Sequence, residues 1–216
     1  MPMSQRPDCK PFINLSQASY SRVFAAITVP DGPRELLWQT VRQRVEHPHL
    51  RWTAPENFHI TLAFMGNLEQ HQLSGLCRDI AACTPPEAPV IKPQHIGRFP
   101  GPQGHILAAH IQRNGLLIEL HHWIVQRARL NGIDVLEEEQ YLPHITLARL
   151  DKHSGRPFAG TEMLLDGSAT FTPSNFGIFR GVRSRREDQT RYHYEPLALF
   201  PFADSTSANA GSSSGN

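Results

Sequence analysis

Apolar residues along the chain recur in two patterns, one typical of strands and the other typical of helices. Short apolar or alternating runs predict strands at 23–29, 58–64, 90–96, 105–111 and 144–150. Apolar residues at three- and four-residue spacing predict helices at 34–45, 68–82 and 116–130. Further strands are expected at 168–171, 175–179 and 191–200. Because helices and strands are interspersed without regular βα alternation, we predict an α+β fold.

The two ends of the chain lack these patterns. Residues 1–20 have no clear periodicity, and we expect a flexible N-terminal arm there. Residues 203–216 are small and polar, a composition that is typical of a disordered tail. One folded domain is therefore predicted over residues 21–202.

Composition limits the classes of function. Lys and Arg total 21 and Asp and Glu total 20, so the formal net charge is +1. A protein that coats long duplexes needs many phosphate contacts, which this balance does not favour. No run of about 18 apolar residues predicts a membrane span, and the N-terminus has no apolar run typical of a signal peptide. The three cysteines show no paired spacing and are expected as free thiols, which predicts a cytoplasmic protein.

A five-residue segment, His-Ile-Thr-Leu-Ala, occurs twice in the sequence. It starts at His59 and again at His144, which is 85 residues later, and both copies lie in predicted strands. Side chains alternate between the two faces of a strand, so each histidine shares a face with the threonine two positions on. The aliphatic residues between them then face a core. Two such strands side by side would bring two imidazoles and two hydroxyls together.

This set of groups suits the opening of a cyclic phosphodiester. One group must take a proton from water and another must give a proton to the leaving oxygen, and histidine does both near neutral pH. Thr61 and Thr146 can donate hydrogen bonds to the phosphate oxygens. Arg149 follows Thr146 at odd spacing, so regular alternation places it on the opposite face. It contacts the phosphate only if the strand departs from regular alternation there.

Metal chemistry is the other interpretation of a chain with 12 histidines. Zinc sites need three or four ligands at characteristic spacing, and the sequence has no His-Glu-x-x-His motif. It also lacks a phosphate-binding Gly-rich loop and a Gly-x-Ser-x-Gly nucleophile motif. We therefore expect neither a metal nor another cofactor.

The paired motif resembles that of the two-histidine phosphoesterase superfamily, and within it the RNA 2′,3′-cyclic phosphodiesterases, also called 2′-5′ RNA ligases. The likeness covers about residues 21–201. Supporting stretches that resemble the family lie at 22–30, 51–52, 55–58, 63–66 and 191–197. The last of these contains Tyr194, which is a candidate for substrate binding together with Arg149.

The resemblance implies a specific architecture and chemistry. The fold would be two lobes related by a pseudo-twofold axis, with antiparallel sheets lining a central cleft and helices outside. His59 would be the proton donor and His144 the proton acceptor. The enzyme would hydrolyse RNA 2′,3′-cyclic phosphate ends, on tRNA fragments or short oligonucleotides, to 2′-phosphomonoesters. We expect a monomer with no membrane partner.

Two alternative functions are left open by the sequence. The same two histidines would serve a reversible 2′-5′ ligase or 2′-5′ phosphodiesterase. A non-catalytic RNA-binding module would instead use the basic segment 180–191 to bind phosphates, with Phe176 and Phe179 stacking on bases. Binding alone needs no matched acid and base, so retention of both His-Thr pairs argues against the module.

Overall fold

The computed structural model describes residues 11–45, 50–84, 86–136, 140–150, 162–186 and 189–203. Within these ranges the helices are α1 (Asp31–Arg44), α2 (Gln70–Ala82) and α3 (Gly115–Leu130). A short 3₁₀ turn at Pro55–Asn57 precedes the strand that carries the first motif. The strands are β1 (Phe12–Ile13), β2 (Ser19–Thr28), β3 (Leu50–Trp52), β4 (His59–Glu69), β5 (Pro93–Phe99), β6 (Ile106–Ile111), β7 (His144–Leu150), β8 (Met163–Leu164), β9 (Asn175–Arg186) and β10 (Gln189–Pro201).

The strands of the described ranges form one ten-stranded sheet. Its order is β1-β10-β9-β2-β4-β7-β6-β5-β8, and β3 pairs with β7. The two motif strands, β4 and β7, meet at a single residue pair, Ile60 with Ile145. Further along β7 the neighbouring strand is β3, where Leu50 pairs with Leu150. The two predicted sheets are thus two halves of one continuous sheet. The pairing of Ile60 with Ile145 joins the two halves.

Helices and sheet enclose one main core. Buried residues of all three helices, among them Leu37, Leu73 and Ile124, belong to the same apolar cluster as Ile60 and Ile145 of the motif strands. A second, small cluster of Phe24, Ala26 and Phe179 is separate from it. Helices therefore cover the aliphatic face of the motif strands, and the face that carries the motif histidines is left for a cleft.

The α+β class is confirmed, and two element predictions need correction. The predicted strand at 168–171 is wrong, because a turn begins there after Gly167, which has a φ of +85°, and Phe171 makes only an isolated bridge to Ile91. Asp166 accepts hydrogen bonds there from the backbone and hydroxyl groups of Ser168. The strand that the structure has just before this segment is β8, which pairs with β5.

The second correction concerns the predicted arm at residues 1–20. β1 pairs with β10, through Phe12 with Leu199, and Tyr20 of β2 is buried. Residues 1–10 and 204–216 lie outside the described residues, so the flexible arm and the disordered tail stay predictions there.

No helix in the described ranges is long and apolar enough to cross a membrane.

Candidate active site

The two motif copies are neighbours in the sheet, and equivalent residues face each other. Ile60 is the second residue of the first copy, and its antiparallel partner Ile145 is the second residue of the other. A pairing of equivalent positions is what a local twofold axis between the strands produces. His59 and His144 therefore lie on either side of one axis.

Each motif strand contains a β-bulge at the same position. In β4, Ala26 pairs with Thr61 and the preceding residue Ala25 pairs with Ala63, so Leu62 is an extra residue. In β7, Leu147 is extra in the same way. A bulge of one residue shifts the alternation of the side chains that follow it.

The bulges bring the residue that directly follows each copy, Phe64 or Arg149, to the cleft face. Leu62 and Ala63 are both buried, and Phe64 beyond them is exposed. The equivalent residue after the second copy is Arg149, which lines the cleft together with Thr146. The expectation from regular alternation, that Arg149 lies on the opposite face, is thereby corrected.

The cleft between the motif strands has a volume of about 190 Å³. It is lined by all six residues that the sequence singled out: His59, Thr61, His144, Thr146, Arg149 and Tyr194. Its volume is below the range of about 300–1,000 Å³ that is usual for pockets holding a whole small molecule. The cleft therefore suits a phosphate and part of its sugar, with the rest of a ligand outside.

Both motif histidines are oriented by the same backbone contact. His59 Nδ1 donates to the carbonyl oxygen of Asn57 at 2.7 Å, and His144 Nδ1 donates to that of Leu142 at 2.9 Å. In each case the acceptor precedes the histidine by two residues. A carbonyl partner fixes the proton of the neutral ring on Nδ1, so Nε2 is the nitrogen that gains or loses a proton.

Aromatic rings hold the two imidazoles from the sides. Phe24 and Tyr194 lie against His59, with ring centroids at 5.0 and 4.9 Å. Phe99 stacks on His144 at 3.7 Å. The environments of the two histidines are thus similar in backbone contacts and different in their aromatic neighbours.

Comparison with known proteins shows which family this chain is similar to. Residues 27–106, which include the first motif, match the family described as LigT-like phosphoesterase. The chain is 26% identical over 130 residues to an RNA 2′,3′-cyclic phosphodiesterase of Methanocaldococcus jannaschii, covering 60% of this chain and 71% of the relative. It is 29% identical over 163 residues to a protein of the same name from Bacillus subtilis, covering 73% and 86%.

The chain is thus similar to the LigT-like phosphoesterases. The predicted resemblance to the two-histidine phosphoesterases is confirmed.

The crystal structure of Escherichia coli LigT complexed with 3′-AMP has the same fold as this chain. It superimposes with a TM-score of 0.71 at 21% identity, over 85% of this chain and 99% of the other. The agreement over nearly all of that chain supports the α+β assignment made above.

Burial makes His59 a weak base in the ligand-free site. Removal from water disfavours the charged ring and, against the opposing effect of the Asn57 hydrogen bond, lowers the pKa of His59 to about 4. Positive charge on His144 and Arg149 acts in the same direction. At neutral pH with no ligand bound, His59 is therefore uncharged.

Two further histidines adjoin this site. The register places His95 of β5 opposite His110 of β6, and His110 opposite His144. The rings of His95 and His110 stack at 4.2 Å. Burial, and then the neighbouring His95, lower the pKa of His110. Stacked rings do not converge on one point, and no group of three or more His, Cys, Asp or Glu in the described ranges is arranged to hold a metal.

Arg22 is a cleft residue that the sequence did not reveal. It has a φ of +55°, which is rare for a residue with a side chain, at a place where the β2–β4 register shifts. Its backbone N–H donates to Asn67 Oδ1 at 3.4 Å, and its guanidinium lies 4.7 Å from the ring centre of Tyr192. The apolar pattern of the predicted strand at 23–29 does not indicate Arg22. The irregularity that orients this residue depends on how β2 pairs with β4, which is a tertiary feature.

Side chains from distant segments hold the first motif from outside the cleft. The Tyr141 hydroxyl donates to the carbonyl oxygen of Thr61 at 3.0 Å, and His121 Nδ1 donates to that of Leu62 at 2.6 Å. The two rings stack at 4.1 Å. These bonds satisfy carbonyl groups beside the bulge, where the ladder of the sheet is irregular. Tyr141 and His121 therefore position Thr61 without lining the cleft.

Asn57 has a similar role next to His59. Its buried side chain donates to the carbonyl oxygen of Tyr192 at 2.7 Å, while its own carbonyl oxygen accepts from His59. These two hydrogen bonds connect β10, the last strand in the chain, to His59.

Proposed function

We propose that this protein hydrolyses RNA ends that carry a 2′,3′-cyclic phosphate and produces 2′-phosphomonoesters. The observation that carries the proposal is the pair of matched His-Thr sets that face one cleft of about 190 Å³. Relatives of the chain that are named RNA 2′,3′-cyclic phosphodiesterases support it.

The proposed reaction uses the two histidines as base and acid. His144 Nε2 takes a proton from water while the water oxygen forms a bond to phosphorus. The bond between phosphorus and the ribose O3′ breaks, and O3′ takes a proton from His59 Nε2. Thr61, Thr146 and Arg149 bind the non-bridging oxygens, whose negative charge is stabilised in the transition state.

The negative charge of the substrate allows His59 to act as an acid. The pKa of His59 is about 4 in the ligand-free site. A phosphodiester anion beside the ring favours the charged imidazolium and raises this pKa, because an opposite charge at short range stabilises the charged form. Binding of the substrate therefore loads the acid with its proton.

The pH dependence of the rate should show this coupling. We expect bell-shaped profiles for both kcat/KM, which reports the free enzyme, and kcat, which reports the complex. The limbs belong to the coupled pair of histidines. Because the bound anion raises the pKa of both rings, the kcat bell should lie at higher pH than the kcat/KM bell. The measurement is initial rates from about pH 4 to pH 9. Superimposable bells, or a rate that rises steadily to high pH, would contradict the mechanism.

Activity should not require a metal ion. The proposed acid, base and phosphate-binding groups are all side chains of the chain, so a chelator removes nothing that the reaction uses. We expect the same rate on a cyclic-phosphate RNA with and without EDTA. A rate that is lost in EDTA and restored by zinc or magnesium would overturn this prediction.

The identity of the product tests the reaction itself. An RNA ending in a 2′,3′-cyclic phosphate is incubated with the protein, and the terminal phosphate is assigned to the 2′ or 3′ position by chromatography. A 2′-phosphate is expected. A 3′-phosphate product would mean that the cyclic phosphate binds in the opposite orientation, with O2′ as the leaving oxygen. Absence of hydrolysis would reject the proposed function.

The stacking contacts of the alternative RNA-binding module are not supported by the geometry. Phe176 and Phe179 are 1% and 6% exposed, so neither ring is open to a base. Arg180 binds Glu195, with Nη2 to Oε2 at 2.6 Å. A 2′-5′ ligase would use the same two histidines, with the 5′-hydroxyl of a second RNA attacking phosphorus in place of water while the bond to O3′ breaks. Addition of a 5′-hydroxyl RNA to the same assay would detect this reaction as a longer, joined RNA.

A further inference from the structure

The last two strands continue beyond the catalytic cleft. β9 and β10 pair from Arg186 with Gln189 down to Asn175 with Pro201. β2 pairs with β9 only between Arg180 and Gly177. We call the remaining part, residues 181–186 and 189–194, the ribbon. Gly181 and Tyr194 at its base line the cleft, so the ribbon begins at the wall of the active site.

One face of the ribbon combines aromatic and positively charged side chains. Tyr194 and Tyr192 are two residues apart in β10 and therefore share a face, and their partners across the strands are Gly181 and Arg183. Tyr192 is 38% exposed, and the guanidinium of Arg22 lies 4.7 Å from its ring centre. Cross-strand partners project to the same side, which places Arg183 next to Tyr192.

Gly181 allows this arrangement. A Cβ at Gly181 would lie 3.1 Å from Arg22 Nε, tighter than ordinary contact. The missing side chain lets Arg22 cross the base of the ribbon between the cleft and Tyr192.

On the opposite face, ion pairs with Glu195 lie at the base of the ribbon. Glu195 accepts hydrogen bonds from Arg180 at 2.6 Å and from His193 at 3.1 Å. The Arg180 guanidinium also lies 5.8 Å from the ring centre of Tyr20. The negative charge of Glu195 is thus paired on this face, away from Tyr192 and Arg183.

We propose that the aromatic face of the ribbon binds the single-stranded RNA that precedes the cyclic phosphate. Tyr194 contacts the terminal nucleotide, and Tyr192 stacks on the base before it. Arg22 and Arg183 bind the phosphates between them. The inference rests on the proposed function and specifies its substrate as an oligonucleotide end rather than a cyclic mononucleotide.

Three observations favour this ligand. Aromatic platforms flanked by cations are the usual means of binding single strands without reading sequence. Residues two apart in a strand are separated by about 6.6 Å, which leaves room for one unstacked base on each tyrosine. The cleft of about 190 Å³ holds the reacting end alone, so the preceding nucleotides must leave it along a wall.

The test compares two substrates, a nucleoside 2′,3′-cyclic monophosphate and a five-nucleotide RNA with the same terminus. The preference is the ratio of kcat/KM for the RNA to that for the mononucleotide. We expect the Tyr192→Ala variant to lower it about 5- to 100-fold, as for loss of one stacked base. Tyr192→Phe should restore it. Arg183→Gln should reduce the slope of log KM for the RNA against log salt by about 0.7, as for one phosphate contact to a single strand.

The His193→Ala variant is the matched control, because its side chain lies on the opposite face of the same strand. It should keep the wild-type preference, and thermal melting checks that each variant is folded. An unchanged preference in Tyr192→Ala together with an unchanged salt slope in Arg183→Gln would overturn the ribbon proposal.

Failure of the proposed function gives a different result. Wild-type protein would then hydrolyse neither substrate. In that case, RNA binding by the ribbon is measured by fluorescence anisotropy with a labelled five-nucleotide RNA that ends in a 2′-phosphate. Weaker binding by Tyr192→Ala than by His193→Ala supports the ribbon as an RNA site. Equal binding overturns it.

Discussion

Replacement of either motif histidine by alanine should lower kcat about 10²- to 10⁴-fold on a cyclic-phosphate RNA, the usual effect of losing a general acid or base. His59→Ala removes the proposed proton donor and His144→Ala removes the proposed proton acceptor. The double variant should lose far less than the product of the two single losses, because groups that act in one transition state are not additive. Single-turnover rates, measured with the enzyme in excess over the RNA and at saturating enzyme concentration, give the rate of the chemical step without interference from product release.

His122→Ala provides the matched control for the histidine variants. His122 is exposed on α3 and does not line the cleft, so its replacement should leave kcat within experimental error of wild type. Near-wild-type turnover in His59→Ala or His144→Ala would reject the assigned chemistry, provided that the variant melts like the wild type.

Loss of the threonine hydroxyls should be the second largest effect. Thr61→Val and Thr146→Val each remove a hydrogen-bond donor to the developing phosphate charge, which costs up to about 10²- to 10³-fold in kcat. Valine keeps the β-branch that suits a strand, so the fold should be retained. Both limbs of the pH profile should remain, because neither histidine is altered.

Serine provides the control at the threonine positions. Thr61→Ser and Thr146→Ser keep the hydroxyl and should recover most of the rate that valine loses. If both valine variants turned over at the wild-type rate, the threonines would be strand residues without a role in phosphate binding. Arg149, on the same face of the cleft, would then be the main phosphate ligand, and Arg149→Gln would show it.

The repeated motif made much of the site predictable from the sequence. Period-two alternation correctly places each histidine with its threonine, and all six residues proposed from the sequence line one cleft. The helices at 34–45, 68–82 and 116–130 also agree with α1, α2 and α3 to within a few residues. These features depend on local periodicity, which a sequence states directly.

Features that depend on tertiary pairing could not be predicted in this way. The bulges at Leu62 and Leu147 follow from how β4 and β7 pair with β2 and β6, and the bulge at Leu147 brings Arg149 to the cleft. The contact between Asn57 and the backbone of Tyr192 spans 135 positions of the chain. β1 has only two residues, which is too short for a periodic apolar pattern, so it is recognised as a strand only by its pairing with β10.

The twofold relation between the motif strands has a consequence for regioselectivity. A 2′,3′-cyclic phosphate offers two leaving oxygens on either side of phosphorus, and a site with exact twofold symmetry would accept the ring in both orientations. The histidines and threonines are equivalent across the axis, so they do not distinguish O2′ from O3′. The distinction must come from positions that differ between the halves. Phe64 in one half occupies the position that Arg149 has in the other. Phe24 and Tyr194 contact His59, whereas Phe99 contacts His144. The ratio of 2′- to 3′-phosphate in the product therefore reports on these flanking residues and not on the motif itself.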